Sequence, residues 1–99
     1  FRQLPRYPYI ERDLSIIVET YCSGDQIKLL ISRLGHDIIT SVILFDLYRG
    51  ESIPEGYQSM AFRVRYQSED RTLTDAEVQE VHSQVATTLI RELGVTVRE

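Results

Sequence analysis

Ninety-nine residues, 42% of them hydrophobic and 26% charged, supply the core of one small domain and no more. Aromatic residues at 9% and a mean hydropathy of −0.20 exclude a disordered tail, and apolar runs of only a few residues are too short to span a membrane. The net charge of −4 lies wholly in residues 69–99, which hold seven acids and three bases, whereas residues 1–68 balance eight of each.

An acidic chain argues against tight nonspecific nucleic-acid binding and leaves room for a local, specific contact. Every base except Lys28 is arginine, whose planar fork suits phosphate and base edges as well as exposed strands. Cys22 is the only cysteine, which excludes an internal disulfide and any CxxC site. The first residues show no basic-then-apolar leader pattern.

Phe1 to Ile10 contains Pro5 and Pro8 and reads as an extended lead-in. Leu14, Ile16 and Val18 then alternate with polar residues as a strand, and Ile17 implies partial cover on its second face. Ser23 to Gln26 form a capping box, followed by an apolar stripe of Ile27, Leu30, Ile31 and Leu34. Gly35 is placed to end that helix with a left-handed cap.

Residues 38–49 return to strand, with Ile43, Phe45 and Leu47 on one face and Val42, Leu44, Asp46 and Tyr48 on the other. Gly50 to Gly56 is a turn-rich loop, and Tyr57 to Gln67 is the cleanest strand, giving a hairpin. Thr74 to Glu77 form a second capping box before a helix whose stripe is Val78, Val81, Val85, Leu89 and Leu93. Gly94 ends it, and Val95 to Val97 make a short last strand. The order β-α-β-β-α-β over residues 1–99 predicts an α+β, ferredoxin-like sandwich, with two helices on one face of a four-stranded antiparallel sheet.

Taking the fully apolar sets as helix-facing, the open face carries Asp46, Tyr48, Ser59, Arg63 and Arg65. An aromatic ring among Arg, Asp and Ser on an open sheet is the equipment of single-stranded RNA recognition: the ring stacks, the carboxylate accepts from a base edge, and Arg meets phosphate. Protein docking through the same face and plain sheet stabilisation by Arg–Asp pairs use the same residue types, so the pattern leaves all three open.

Catalytic and metal constellations are lacking in the pattern. His36 beside Asp37 reads as a helix-capping residue, and His82 as a half-buried one between Val78 and Val85. Neither has companions at metal-ligand spacing. Glu69, Asp70, Glu77 and Glu80 cluster at a helix start, where carboxylates cap and solvate. Cys22 has no histidine partner, and Gly50 and Gly56 flank a turn and nothing more. The sequence has no Asn, which disfavours an acylphosphatase-like enzyme of this fold.

Several words are read as a series: Tyr7-Pro8 with Arg12-Asp13-Leu14, Phe45-Asp46-Leu47-Tyr48-Arg49-Gly50, Ile53-Pro54-Glu55-Gly56, Ser59-Met60-Ala61-Phe62, and Arg71-Thr72-Leu73-Thr74-Asp75 with Glu77-Val78. Together they closely resemble the ferredoxin-like anticodon-binding domain that ends the β subunit of bacterial phenylalanyl-tRNA synthetase. Met60 stands where that family has Leu. The strand-two word fits the β-subunit family better than the mitochondrial monomeric enzymes.

The resemblance implies a tRNA-binding domain that contacts the anticodon loop of phenylalanine tRNA, whose anticodon is GAA. It implies that Tyr48 stacks on the first base, that Asp46 hydrogen-bonds the guanine edge, and that Ser59 and Arg98 meet the remaining bases. Arg63 and Arg65 are added from face geometry as candidate phosphate contacts. The parent implied is a cytoplasmic α2β2 ligase using ATP and Mg²⁺, with its chemistry in the α subunit. The fragment itself is then non-catalytic, without cofactor or metal, and without membrane or DNA as partner. The rival reading is a protein-interaction or regulatory ferredoxin-like domain.

Overall fold

Alternating apolar residues gather four strands into one sheet, and two amphipathic helices cover one side of it. The computed structural model describes residues 7–34 and 37–98, with Arg98 described by its backbone alone. The elements are β1 (Ile10–Glu19), α1 (Gly24–Leu34), β2 (Ile39–Tyr48), β3 (Tyr57–Tyr66), α2 (Asp75–Leu93) and β4 (Thr96–Arg98). The strands lie in the order β2-β3-β1-β4, and every neighbouring pair is antiparallel. This is the expected ferredoxin-like arrangement, with β1 and β3 in the centre.

Both helices start where the capping patterns place them. The Ser23 hydroxyl accepts the Gln26 N–H at 3.1 Å at the head of α1. At α2 the box is complete: Thr74 accepts the Glu77 N–H, and the Glu77 carboxylate accepts the Thr74 N–H. Gly94 closes α2 in the left-handed conformation at φ 65°, donating its N–H to the Ile90 carbonyl. Gly35 and His36, expected at the end of α1, lie outside the described residues.

The core forms between the helices and the inner face of the sheet. Leu14, Ile16 and Val18 from β1 meet Met60, Phe62, Val64 and Tyr66 from β3, beneath Ile27, Ile31, Val78, Val85 and Leu89. Each fully buried apolar side chain contributes about 1.5–3 kcal/mol. The buried stripe of α2 departs from expectation at three places, the first being Val81, which is only partly buried against the core. His82, expected half-buried, is fully buried because its Nδ1 meets the Tyr66 hydroxyl at 2.8 Å, which offsets the cost of enclosing a polar ring. Leu93, the last helical residue before the Gly94 turn, is exposed rather than buried.

The larger correction concerns β2. Val42 lies opposite Val64 and Leu44 opposite Phe62, so both face the helices. The register then shifts: Asp46 lies opposite Ala61, Leu47 opposite Met60 and Tyr48 opposite Ser59. Phe45 is the extra residue of a β-bulge, and a second irregularity falls at Thr40. Ile43 and Phe45, expected under the helices, therefore sit on the open face, half exposed. Val42 and Leu44, expected on the open face, pack against the core instead. Strict alternation assigned both pairs wrongly because an extra residue resets the period and sequence alone does not announce it.

Candidate nucleic-acid interface

The open face is built from the odd-numbered residues of β1 and β3 and from the two ends of the β2 bulge. Ser59, Ala61, Arg63 and Arg65 of β3 lie opposite Ile17, Ser15, Asp13 and Glu11 of β1. The bulge at Phe45 turns Asp46 and Tyr48 onto this face, although Leu44, two residues before Asp46, faces the other way. Asp46, Tyr48 and Ser59 are thus brought together at the β2–β3 end of the sheet, with Tyr48 and Ser59 directly paired.

Their chemistry differs sharply from that of their neighbours. Among the described residues, the Asp46 carboxylate, the Tyr48 hydroxyl and the Ser59 hydroxyl have no hydrogen bond or ion pair. Arg63 and Arg65 are both engaged. Arg63 donates from Nε and Nη2 to the two Asp13 oxygens at 3.0 and 3.3 Å, and its guanidinium lies 4.6 Å from the Phe45 ring centre. Arg65 donates to Glu11 at 3.1 and 3.3 Å and lies 3.9 Å from the ring centre of Tyr9. The Asp13 hydrogen bond holds the Arg63 guanidinium further above its ordinary range. Each of these arginines is held by one carboxylate and one aromatic ring, which fixes its plane and cancels its charge.

Arg98, on edge strand β4, is paired through its backbone with Ser15 of β1, which lies opposite Ala61, itself opposite Asp46. Register thus puts Arg98 in the cross-strand row of Asp46, with β1 and β3 between them. Three participants escaped the sequence reading. Phe45 and Tyr9 underlie the two arginines, and Gly50, assigned only to a turn, lies against the Tyr48 ring. The i, i+2 spacing of Tyr48 and Gly50 at the end of an extended strand was the signal for the last. A hollow of about 370 Å³ lined by Asp37, Thr40, Gln67, Ser68, Glu69 and Asp70 lies at the opposite end of β2. Its carboxylates do not suit a phosphate backbone.

The described helices include none long and apolar enough to cross a membrane. Residues 5–98 match the family model of the ferredoxin-fold anticodon binding domain. Over 98 residues the chain is 40% identical to the phenylalanine–tRNA ligase beta subunit of Syntrophotalea carbinolica and 41% identical to that of Trichormus variabilis. Over 99 residues it is 37% identical to the corresponding subunit of Bacillus cereus. These alignments take in 99–100% of this chain, which spans about 12% of the length of those curated relatives.

Proposed function

The chain belongs to the ferredoxin-fold anticodon-binding domain family, and from that premise we propose that it is the tRNA-binding domain of a phenylalanine–tRNA ligase beta subunit, reading the anticodon loop of phenylalanine tRNA. Tyr48 stacks on the first anticodon base, a guanine. Asp46 accepts hydrogen bonds from that guanine's N1–H and exocyclic amine, two donors that adenine does not offer in that arrangement. Ser59 and Arg98 contact the remaining anticodon bases. Arg63 and Arg65 approach the loop's phosphates with the N–H groups that Asp13 and Glu11 leave over.

One observation carries this reading: the bulge sets a half-exposed aromatic ring and an unanswered carboxylate side by side, on a face where the Asp13 and Glu11 carboxylates are paired. Stacking of a base on such a ring contributes about 1–3 kcal/mol. In the same reading the parent is a cytoplasmic α2β2 ligase that spends ATP with Mg²⁺ at its α subunit. This domain then contributes tRNA affinity and placement rather than chemistry.

A second reading has one observation in its favour. Ile43 and Phe45 are 50% and 47% exposed on this same face, as a protein-docking surface would be. Titration of the isotope-labelled chain with the anticodon stem-loop, followed through backbone amide shifts, separates the two. Shifts centred on Asp46, Tyr48 and Ser59, and reduced when the first anticodon base is changed from G, are the expected result. Shifts confined to α1 and α2 would overturn the assignment, and a spectrum unmoved by RNA would transfer the face to the protein-docking reading.

A further inference from the structure

Gly50 follows β2 at the start of the loop that leads to β3. Its backbone does not demand glycine: among the described glycines only Gly56 and Gly94 have positive φ. The side of Gly50 where a Cβ would stand is occupied by the Tyr48 ring. A Cβ built there overlaps the Tyr48 Oη and Cζ and comes within 2.9 Å of Cε2. The glycine therefore serves a close approach, and what approaches is the ring assigned to stack on RNA.

The surrounding chain holds this seat still. Arg49 donates from Nε and Nη2 to the Oε1 of Gln58 at 3.1 and 3.0 Å. Gln58 is 2% exposed, lies opposite Val18, and donates in turn to the Cys22 carbonyl at 3.4 Å. The Gly50 carbonyl accepts the Ile53 N–H at 3.0 Å, closing the turn beyond it. Arg49 is thus anchored to buried Gln58, while Tyr48 and Gly50 on either side of it meet each other. One part of the ring rests on Gly50, and 47% of the residue remains open to solvent.

We propose that Gly50 is a positioning residue for base recognition: it gives the Tyr48 ring a backbone seat, so that the free side of the ring is preset for stacking on a nucleobase. The proposal rests on the RNA-binding reading given above. Any side chain at position 50 expels the ring tip, and the ring must then rotate away from the surface it presents. The entropy of ordering a free tyrosine, which binding would otherwise have to offset, is met in advance by this contact.

The test uses the wild-type chain, Gly50→Ala, Tyr48→Leu and the double variant, with a synthetic anticodon stem-loop carrying GAA as ligand. Before RNA is added, the Gly50 α-protons are expected to show a ring-current shift that Tyr48→Leu abolishes. Gly50→Ala is expected to move the Tyr48 ring resonances while leaving the thermal midpoint near wild type. With RNA, Gly50→Ala weakens binding by about 5- to 150-fold, the range that one base stack represents. The double variant is no weaker than Tyr48→Leu alone. On a stem-loop abasic at the first anticodon position, the difference between wild type and Gly50→Ala collapses. A purely structural glycine would not produce that collapse. Wild-type binding by Gly50→Ala beside a weakened Tyr48→Leu would overturn the role of Gly50 alone. Undiminished binding by Tyr48→Leu would overturn the stacking assignment and this proposal with it. Additive losses in the double variant would show that Gly50 acts through something other than the ring.

Discussion

Asp46 and Asp13 are strand aspartates on one face of one sheet, yet among the described residues an arginine answers only Asp13. A surface carboxylate costs little to leave in water, so the unpaired state of Asp46 is stable, and a ligand's donors meet an acceptor that is not already satisfied. Tyr66, on the other face, shows the reverse condition. Burial holds its phenol far above the ordinary 10.0, and the Arg12 charge from β1 pulls only partly against that. From α2, His82 faces it at 2.8 Å, with the rings edge-on at 79°. The raised pKa means that the unfolded phenol ionises near pH 10 while the folded one keeps its proton. Stability is thus intact below about pH 10 and is lost as pH rises through the window above it. Tyr66→Phe is expected to cost about 0.5–1.5 kcal/mol at neutral pH through the missing hydrogen bond. Urea denaturation repeated up the alkaline range should find the variant's stability flatter than wild type, and parallel slopes would refute the linkage.

At the scale of elements, α2 illustrates structure set by adjacent residues. Thr74 and Glu77 exchange hydrogen bonds, and Arg71 reaches the same Glu77 carboxylate. The Arg71 hydrogen bond, assisted by the Thr74 N–H, holds the Glu77 carboxyl below the ordinary 4.5. A lowered folded pKa stabilises above the ordinary value, and that contribution disappears as pH falls through the folded one. Thr74→Ala should lower stability by about 0.5–2 kcal/mol. Glu77→Gln keeps an acceptor for the Thr74 N–H and removes the ionisation, so its stability should fall less steeply than wild type below about pH 4.5. Circular dichroism melts across the acid range distinguish the two variants. The capping words were legible in the sequence because all their members lie within four residues. The β2 bulge was not. Val42, Leu44, Asp46 and Tyr48 share one parity, and only pairing with β3 shows that two face inward and two outward.

Across the whole molecule, the charge suits the placement of RNA proposed above rather than its capture. The chain carries −4 overall, and the two open-face arginines of β3, Arg63 and Arg65, are paired with Asp13 and Glu11. Few counterions are then released when RNA binds. Affinity for the anticodon stem-loop should accordingly fall by less than about tenfold between roughly 50 and 200 mM salt. Isothermal titration at several salt concentrations measures this, and a steep slope would mean that Arg63 and Arg65 leave their carboxylates to bind phosphate. Such a domain suits attachment to a larger RNA-binding surface, where effective concentration supplies what its own charge does not.

The order of elements, the inner faces of β1 and β3, and the heads of both helices were settled by sequence, because periodicity and capping are interactions among near neighbours. The family resemblance was equally local, carried by short words in fixed order. The face each part of β2 presents was decided only by tertiary structure. So were the partners of Arg63 and Arg65, which lie 50 and 54 residues away in the chain, and the close approach of the Tyr48 ring to Gly50. Pairing with β3 chose where the extra residue of β2 would be accommodated, and the cover of α1 and α2 chose which apolar side chains would be buried. Those choices are made by contacts between distant segments, whose geometry no window of adjacent residues contains.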